Sequence, residues 1–325
     1  MMGCAPSTHI ECDIVRRSTD TIGSWRAMGS GVEVIVSGTD EISSSAVRHA
    51  RDRIAELEQL WSRFIGTSEI SRLNAARGAR VAVSPETRRL VELMQEGVRA
   101  TNGAFDPTMI VPIVRLGYAD SFDGSGLVTE VAADLEQRGD VCRANIGRDD
   151  RSDWIELPIG TALDPGGIGK GLAADIVVAE ILDRYGRGSL VSVGGDVSVG
   201  GPGPEGKGWR VVVLDPTSEH SIGEVRLAQG GVATSSTRLR RFSDPASTQP
   251  NHHLIDPATL TSLTNGVDGA TVIAGTAAWA EILTKAVMVR GHDEISRLDS
   301  LSIAALTVDA NGIHRNLSWA SYEEK

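Results

Sequence analysis

Four glycines surround one lysine near the middle of the chain: Gly166, Gly167, Gly169 and Gly171 flank Lys170. Because glycine has no Cβ, backbone N–H groups at these positions can approach an anionic ligand closely. A helix predicted over about 171–185 would add its positive N-terminal end, which also favours anions. The segment by itself indicates either a site for a phosphate-bearing ligand or a plain tight turn from a strand into a helix.

The spacing of this segment excludes two common phosphate-binding motifs. A Walker A loop needs a hydroxyl residue directly after its lysine, but here Gly171 follows Lys170. A dinucleotide fingerprint needs a third glycine, and Leu172 stands at that position. The ligand, if there is one, must therefore be identified from the rest of the sequence.

Seven further motifs follow one another along the chain. They are WRAMGS at 25–30, FIGTSEISRLN at 64–74, TNGAFDPT at 101–108, VGGD at 193–196, ATSS at 233–236, HHLIDP at 252–257 and AEILTKA at 280–286. Together with the glycine segment, this ordered set resembles the FAD:protein FMN transferase (ApbE) family. The resemblance covers about residues 24–310, and its specificity comes from the order of the motifs rather than from any one of them.

The resemblance implies that the FMN moiety of FAD is moved onto a Ser or Thr hydroxyl of a target protein, with release of AMP. FAD would be the substrate, and an acceptor protein with a Ser/Thr flavinylation motif would be the partner. Lys170 and His253 would be catalytic. The other residues expected in the flavin site are Met28, Phe64, Ala104, Phe105, Asp106, Leu172, Thr234, Ser235 and Ile255. The alternative is a non-catalytic protein that binds or handles FAD.

The two proposed catalytic residues also allow structural interpretations. His253 stands at the position of the family's histidine and titrates near neutral pH, so it is the candidate base; alternatively, Asp256 satisfies it across a turn. Its neighbour His252 is expected on the opposite face of a strand, at the surface. Lys170 either contributes to the flavin site or pairs with Asp175 or with a carboxylate of the sheet.

The resemblance also implies Mg²⁺, held by the carbonyl of Gly169 and by side chains at positions 281 and 285. In this chain those side chains are Glu281 and Lys285, which are neighbours on one helix face. An ammonium group cannot be a metal ligand. Either Glu281 binds Mg²⁺ together with waters while Lys285 turns away, or the Lys285 ammonium takes the place of the cation and is held by Glu281.

The composition excludes several classes of partner. The chain has 325 residues, a formal net charge of −11 and only 4% aromatic residues, which argues against nucleic acid or an anionic membrane surface as the main partner. Its cysteines, Cys4, Cys12 and Cys142, form no C-x-x-C pair, which fits a reducing compartment or incidental thiols; we expect neither a disulfide scaffold nor a zinc site from them. No apolar run reaches the length of a membrane helix or of a signal peptide's apolar segment, so we expect a cytoplasmic protein without membrane insertion.

The order of predicted elements indicates an α+β fold with a largely antiparallel sheet flanked by helices. We expect a mobile arm over 1–23 and a single domain over 24–325. Ser84 is expected to cap a helix that begins at Pro85. The other main elements are predicted as strands over 28–37, 189–200, 209–214, 223–228, 231–234, 252–256 and 267–274, helices over 41–64, 85–102, 171–186 and 277–290, and a hairpin over 302–315.

Overall fold

A computed structural model describes residues 13–121, 126–215, 218, 220–242 and 251–323. The helices are α1 (Glu41–Trp61), α2 (Glu69–Ala75), α3 (Pro85–Ala100), α4 (Ile110–Arg115), α5 (Gly169–Tyr185), α6 (Ala277–Arg290) and α7 (His292–Ser300). The strands are β1 (Asp13–Arg16), β2 (Asp20–Ala27), β3 (Ser30–Ser37), β4 (Val81–Val83), β5 (Asn145–Arg148), β6 (Asp153–Glu156), β7 (Ser189–Val193), β8 (Asp196–Gly200), β9 (Trp209–Leu214), β10 (Ser221–Leu227), β11 (Gly230–Ser236), β12 (Arg241–Phe242), β13 (Asn251–His252), β14 (Val267–Ala274), β15 (Ala304–Asp309) and β16 (Gly312–Arg315).

The centre of the fold is a sheet in the order β1-β2-β3-β7-β8-β11-β14-β15-β16. Each pair of neighbouring strands in it is antiparallel. The predicted α+β fold with a largely antiparallel sheet is therefore confirmed. A smaller sheet, β4-β6-β5, packs with α2 and α3 around a second core.

Both faces of the large sheet are covered because its strands are apolar on both sides. On one face, α1 and α5 bury Ile54 and Val177 against Val34 and Val191 of the sheet, and α6 and α7 pack over β14 and β15. On the other face, the β9–β10 hairpin contributes Trp209 to a core that also contains Leu306. The helices thus form a layer along one side of the sheet, and α5 and α6 lie in that layer next to each other.

Two tight turns lie side by side at the same end of neighbouring strands in this sheet. Met28 and Gly29, with φ of 51° and 64°, connect β2 to β3, and Gly194 and Gly195, with φ of 62° and 89°, connect β7 to β8. Two consecutive residues with positive φ are the geometry that suits a two-residue hairpin. The amide of Gly194 donates to the carbonyl of Gly31 at 2.8 Å, which joins the two turns. The predicted strand start at Met28 is corrected by this turn.

Several elements match the sequence analysis closely. The strand over 267–274 and the helix over 277–290 have the predicted bounds, and Ser84 accepts from the amide of Thr87 at 3.2 Å as the expected cap of α3. The predicted arm over 1–23 is wrong for residues 13–23, because β1 and β2 pair there; residues 1–12 lie outside the described residues. None of the described helices has the length and apolar character needed to cross a membrane.

The strand predicted over 252–256 is largely absent. Asn251–His252 pair with β12, and the chain then folds back on itself, with an isolated antiparallel bridge between Ile255 and Ser262. The amide of Leu263 donates to the carbonyl of Leu254 at 3.0 Å, and that of Asp256 donates to Thr261 at 2.9 Å. This tight loop, rather than a regular strand, presents the His253 side chain.

Candidate functional site

The glycine segment forms a short turn that leads directly into α5. Asp164 caps the turn, since its Oδ1 accepts from the amide of Gly166 at 2.8 Å. Gly169 and Lys170 open the helix, where amides have no acceptor within the helix itself. The expectation that all four glycines face a ligand is wrong for Gly171. A Cβ there would lie 2.5 Å from the carbonyl oxygen of Ala277, so this glycine allows α5 to touch α6.

Four charged side chains meet where α5, α6 and the β7–β8 turn come together. The ammonium of Lys170 is hydrogen-bonded to Asp196 and lies 2.5 Å from Glu281 Oε1. The other oxygen of Glu281 accepts from the amide of Gly171 at 2.8 Å. Lys285 Nζ lies 3.8 Å from Glu281 Oε1 and 2.9 Å from Ser235 Oγ. We call Lys170, Asp196, Glu281 and Lys285 the charge cluster.

Lys170 does not pair with Asp175. It pairs with a carboxylate of the sheet, that of Asp196 in β8. Asp175 instead caps α6: its two oxygens accept from the amides of Ala277 and Ala278 at 2.8 and 2.9 Å. Its Oδ1 also accepts from Ser198 at 2.7 Å. Asp175 is therefore fully engaged in holding α6 against α5 and β8.

Burial and mutual attraction set the ionisation of the charge cluster. Burial would lower the pKa of Lys170, but the charges of Asp196 and Glu281 raise it above its ordinary value. Burial raises the pKa of Asp196 to about 6, and the charge of Glu281 adds to this. Burial would also raise the pKa of Glu281, but Lys170 and Lys285 hold it low. Burial lowers the pKa of Lys285, against the attraction of Glu281.

His253 faces the same region and is not satisfied by Asp256. Among the described residues, its buried Nδ1 has no hydrogen-bond partner. Asp256 instead accepts from the amide of Ala258 at 2.8 Å. Burial lowers the pKa of His253 well below its ordinary value, and the charges of Arg240 and Lys285 add to this. The imidazole is consequently neutral at neutral pH and can accept a proton.

The prediction that His252 lies at the surface is wrong. Its side chain is buried, with Nε2 3.0 Å from the carbonyl oxygen of Leu263 and Nδ1 3.3 Å from the amide of Leu254. Because the chain folds back after His252, the alternation of a regular strand does not apply. His252 therefore supports the loop that carries His253.

A cavity of about 220 Å³ extends from Lys170 and Lys285 of the charge cluster to a largely apolar part lined by Phe64 and Tyr118. Most of the residues predicted for the site line it: Met28, Phe64, Ala104, Phe105, Asp106, Gly169, Lys170, His253, Ile255 and Lys285. The other four do not. Leu172 is buried in the core, Thr234 is bonded to Thr271 across two strands at 2.9 Å, and Ser235 and Glu281 lie buried behind Lys285.

The cavity-lining residues that the sequence analysis missed include Arg63, Tyr118 and Arg240. The guanidinium of Arg63 lies 4.2 Å from the ring centre of Phe64 and 4.7 Å from that of Tyr118, and its Nε is 3.3 Å from Asp164. We call Arg63, Phe64 and Tyr118 the aromatic wall. The position of Arg63 directly before Phe64 was the available signal.

Arg240 adds a further cation at the entrance to the charge cluster. Its Nη2 lies 3.1 Å from Ser30 Oγ, beside the β2–β3 turn, and its backbone has a φ of 49°. Its charge acts on Lys170, Lys285 and His253. Nothing in the spacing of the sequence separates Arg240 from the neighbouring Arg238 and Arg241.

The residues at the position implied for Mg²⁺ do not suit that ion. Mg²⁺ takes oxygen ligands in a near-octahedral arrangement. Both oxygens of Glu281 are already hydrogen-bonded, one to Lys170 and one to the amide of Gly171. Lys285 places an ammonium, not an oxygen, beside Glu281. The ammonium groups of Lys170 and Lys285 thus both lie beside Glu281 at this position.

The cavity has the aromatic wall at one end and converging cations at a helix N-terminus at the other. A protein with such a site is suited to a ligand that combines an aromatic group with a phosphate ester. The family model described as the ApbE family matches residues 28–307, and the chain belongs to this family. This confirms the resemblance found in the sequence.

Individual relatives agree with this assignment. The chain is 26% identical over 311 residues to an FAD:protein FMN transferase of Klebsiella pneumoniae (strain 342), covering 91% of this chain and 86% of the relative. It is 23% identical to the FAD:protein FMN transferase of Escherichia coli (strain K12), covering 94% and 88%. Among solved structures, the ApbE protein of Thermotoga maritima has a TM-score of 0.79 at 25% identity, covering 97% of this chain and 100% of that one. The apo flavinyl transferase ApbE of Pseudomonas stutzeri has a TM-score of 0.75 at 21% identity, covering 97% and 98%.

Proposed function

We propose that this protein is an FAD:protein FMN transferase that moves the FMN moiety of FAD onto a Ser or Thr hydroxyl of a target protein and releases AMP. The observation that carries the proposal is the meeting of Lys170, Lys285 and His253 in one cavity that also contains the aromatic wall. The names of the relatives support transfer rather than flavin binding alone.

In the proposed reaction, the acceptor hydroxyl oxygen attacks the phosphorus on the FMN side of the pyrophosphate. The bond between that phosphorus and the bridging oxygen breaks, and AMP leaves with the bonding electrons. His253 accepts the hydroxyl proton at a ring nitrogen, which its lowered pKa keeps unprotonated at neutral pH. Lys170 and Lys285, in the same cavity, hold the pyrophosphate in line with the incoming oxygen.

Positive charge for the developing negative oxygens comes from the protein itself. Lys170 and Lys285 lie on either side of Glu281, and the opening amides of α5 add partial positive charge. Arg240 provides a further cation toward the entrance. We propose that the Lys285 ammonium occupies the place that the resemblance implies for Mg²⁺, and that transfer does not require this ion.

The aromatic wall is proposed to hold the adenine end of FAD. Phe64 and Tyr118 provide flat apolar faces, and the planar guanidinium of Arg63 lies against both rings, with its Nε 3.3 Å from Asp164. Met28, at the turn beside the charge cluster, is proposed to lie on the flavin side. The buried Phe105 packs under Gly167, where a Cβ would lie 3.1 Å from its ring, and so supports the phosphate-binding turn.

The test is incubation of the purified protein with FAD and a peptide or protein that carries a Ser/Thr flavinylation motif. AMP is quantified by chromatography, and the covalent flavin is detected by its fluorescence on the denatured acceptor. Metal-free protein is compared with protein to which Mg²⁺ is added to millimolar concentration. Equal rates in both would support the lysine-based site, and a rate that depends on Mg²⁺ would contradict it. Saturable FAD binding with no AMP and no adduct under either condition would favour the non-catalytic alternative.

A further inference from the structure

Two histidines and an aspartate converge at a corner of the fold away from the charge cluster. His292 opens α7, directly after the turn at Gly291 that ends α6. Asp309 ends β15, and His314 lies in β16, the last strand of the large sheet. Three elements that are distant in sequence therefore bring their side chains to one place.

Two of the distances among these three side chains are close to those between ligands of one metal ion. His292 Nε2 lies 3.6 Å from Asp309 Oδ2, and His314 Nε2 lies 3.3 Å from Asp309 Oδ1. One ligand atom from each residue lies within 4.8 Å of the others. Ligands placed tetrahedrally at about 2.0–2.1 Å from a metal ion are roughly 3.3 Å apart. Only small side-chain movements would therefore be needed to surround an ion.

The surroundings favour a metal ligand at Asp309 in particular. Its side chain is only 10% exposed, and its Oδ1 accepts from the amide of Asn311 at 2.7 Å. Outer hydrogen bonds of this kind fix the orientation of a metal-binding carboxylate.

The two histidines remain accessible to an ion from solution. The side chains of His292 and His314 are 55% and 40% exposed, and their ring centres lie 4.5 Å apart. A neighbouring hollow of about 530 Å³ is lined in part by His292, Asp293 and Asp309. An ion can therefore enter without any rearrangement of the backbone, and water can complete its coordination.

We infer that His292, Asp309 and His314 bind one divalent first-row transition-metal ion, of which Zn²⁺ is the representative probe. Two imidazoles and one carboxylate suit such ions, whereas Mg²⁺ prefers oxygen ligands throughout. The bound ion would connect the start of α7 to the hairpin formed by β15 and β16. This site is separate from the charge cluster, so its test does not depend on the transferase reaction.

The experiment uses the full-length protein after removal of metals with EDTA and dialysis. Zn²⁺ binding is measured by calorimetry, the melting temperature is recorded with and without Zn²⁺, and Co²⁺ is used as a spectroscopic substitute. We expect saturable binding of one ion per chain, a melting temperature raised by several degrees, and no comparable shift with Mg²⁺. The visible bands of Co²⁺ should indicate nitrogen and oxygen ligands.

Two variants and one control locate the ion. His292→Gln, at an exposed side chain, and Asp309→Asn should each weaken Zn²⁺ affinity by about tenfold or more. His220→Gln, at an exposed histidine outside the cluster, should bind Zn²⁺ like the unaltered chain. Circular dichroism establishes that all three variants are folded. Absence of saturable binding, or binding that persists unchanged in both variants, for example through the thiols of Cys4 and Cys12, would overturn the inference.

Discussion

Replacement of Lys285 by methionine tests whether this ammonium stabilises the transferring phosphoryl group. Methionine keeps an unbranched side chain of similar length but removes the charge. Glu281 stays satisfied in the variant, because Lys170 and the amide of Gly171 still bind its two oxygens. The change therefore removes one cation from the cavity without leaving an unpaired buried carboxylate.

The size of the effect follows from the distances in the charge cluster. Lys285 Nζ lies 3.8 Å from Glu281 Oε1. We take about the same separation for a phosphate oxygen beside the ammonium. Two unit charges about 4 Å apart interact by about 4 kcal/mol at an effective dielectric constant of about 20. If about half a unit of negative charge develops in the transition state, the loss is about 2 kcal/mol, or roughly 30-fold in rate.

The assay is the rate of AMP release at saturating and at limiting FAD. We expect kcat to fall by roughly 30-fold. We expect kcat/KM to fall by at least as much, because the ammonium also attracts the negative charge of the pyrophosphate in bound FAD. Lys207→Met, at an exposed lysine outside the cavity, is the matched control and should retain the full rate. A fall of less than about threefold in Lys285→Met, or a change confined to KM, would refute the assignment of Lys285 to the reacting phosphate.

Three further predictions concern His253, Asp196 and Gly171. His253→Gln should lower kcat by about 10²- to 10⁴-fold, because the variant lacks the proposed base. In the unaltered protein, the fall of kcat/KM at acidic pH should lie below pH 6.5, since only the neutral imidazole accepts a proton. A fall centred above pH 6.5 would argue against His253 as the base. FAD affinity should weaken roughly 3- to 10-fold as pH rises through about 6, because Asp196 becomes charged beside the pyrophosphate site, and Asp196→Asn should abolish this dependence in fluorescence titrations. Gly171→Ala should destabilise the fold by about 1–3 kcal/mol, since its Cβ would meet the α6 backbone. The control Gly31→Ala, whose Cβ would enter open space, should have a melting temperature close to that of the unaltered protein. Equal melting temperatures for the two variants would contradict the packing role of Gly171.

The elements that the sequence predicted best are those whose local signals agree with their tertiary environment. Ser84 and Pro85 mark the start of α3, and the apolar segment of β14 is buried on both faces of the sheet. His252 was misplaced because a regular strand was assumed, whereas hydrogen bonds between 254 and 263 bend the chain. Local pattern cannot reveal such a bend, since it depends on residues that follow the segment.

The candidate site was predictable where a motif contains its own ligand-facing residue, as with Lys170 and His253. The contacts between residues of distant segments could not be predicted from the sequence. Lys170 and Glu281 are 111 positions apart, and Arg63 lies 101 positions from its partner Asp164. No periodicity or cap links such residues, because only the tertiary fold brings them together; for Lys170 and Glu281 this is the packing of α5 on α6.

Two hydrogen-bonded connections between α5 and α6 have a mechanical consequence. Glu281 of α6 receives the amide of Gly171, and Asp175 of α5 receives the amides of Ala277 and Ala278. Each helix thus has a carboxylate that accepts from backbone amides of the other helix. Neither helix can rotate or slide without breaking these hydrogen bonds. Folding therefore fixes the distance between Lys170 and Lys285. The charges of the site are preorganised before each substrate molecule binds, and its dipoles do not reorient during turnover.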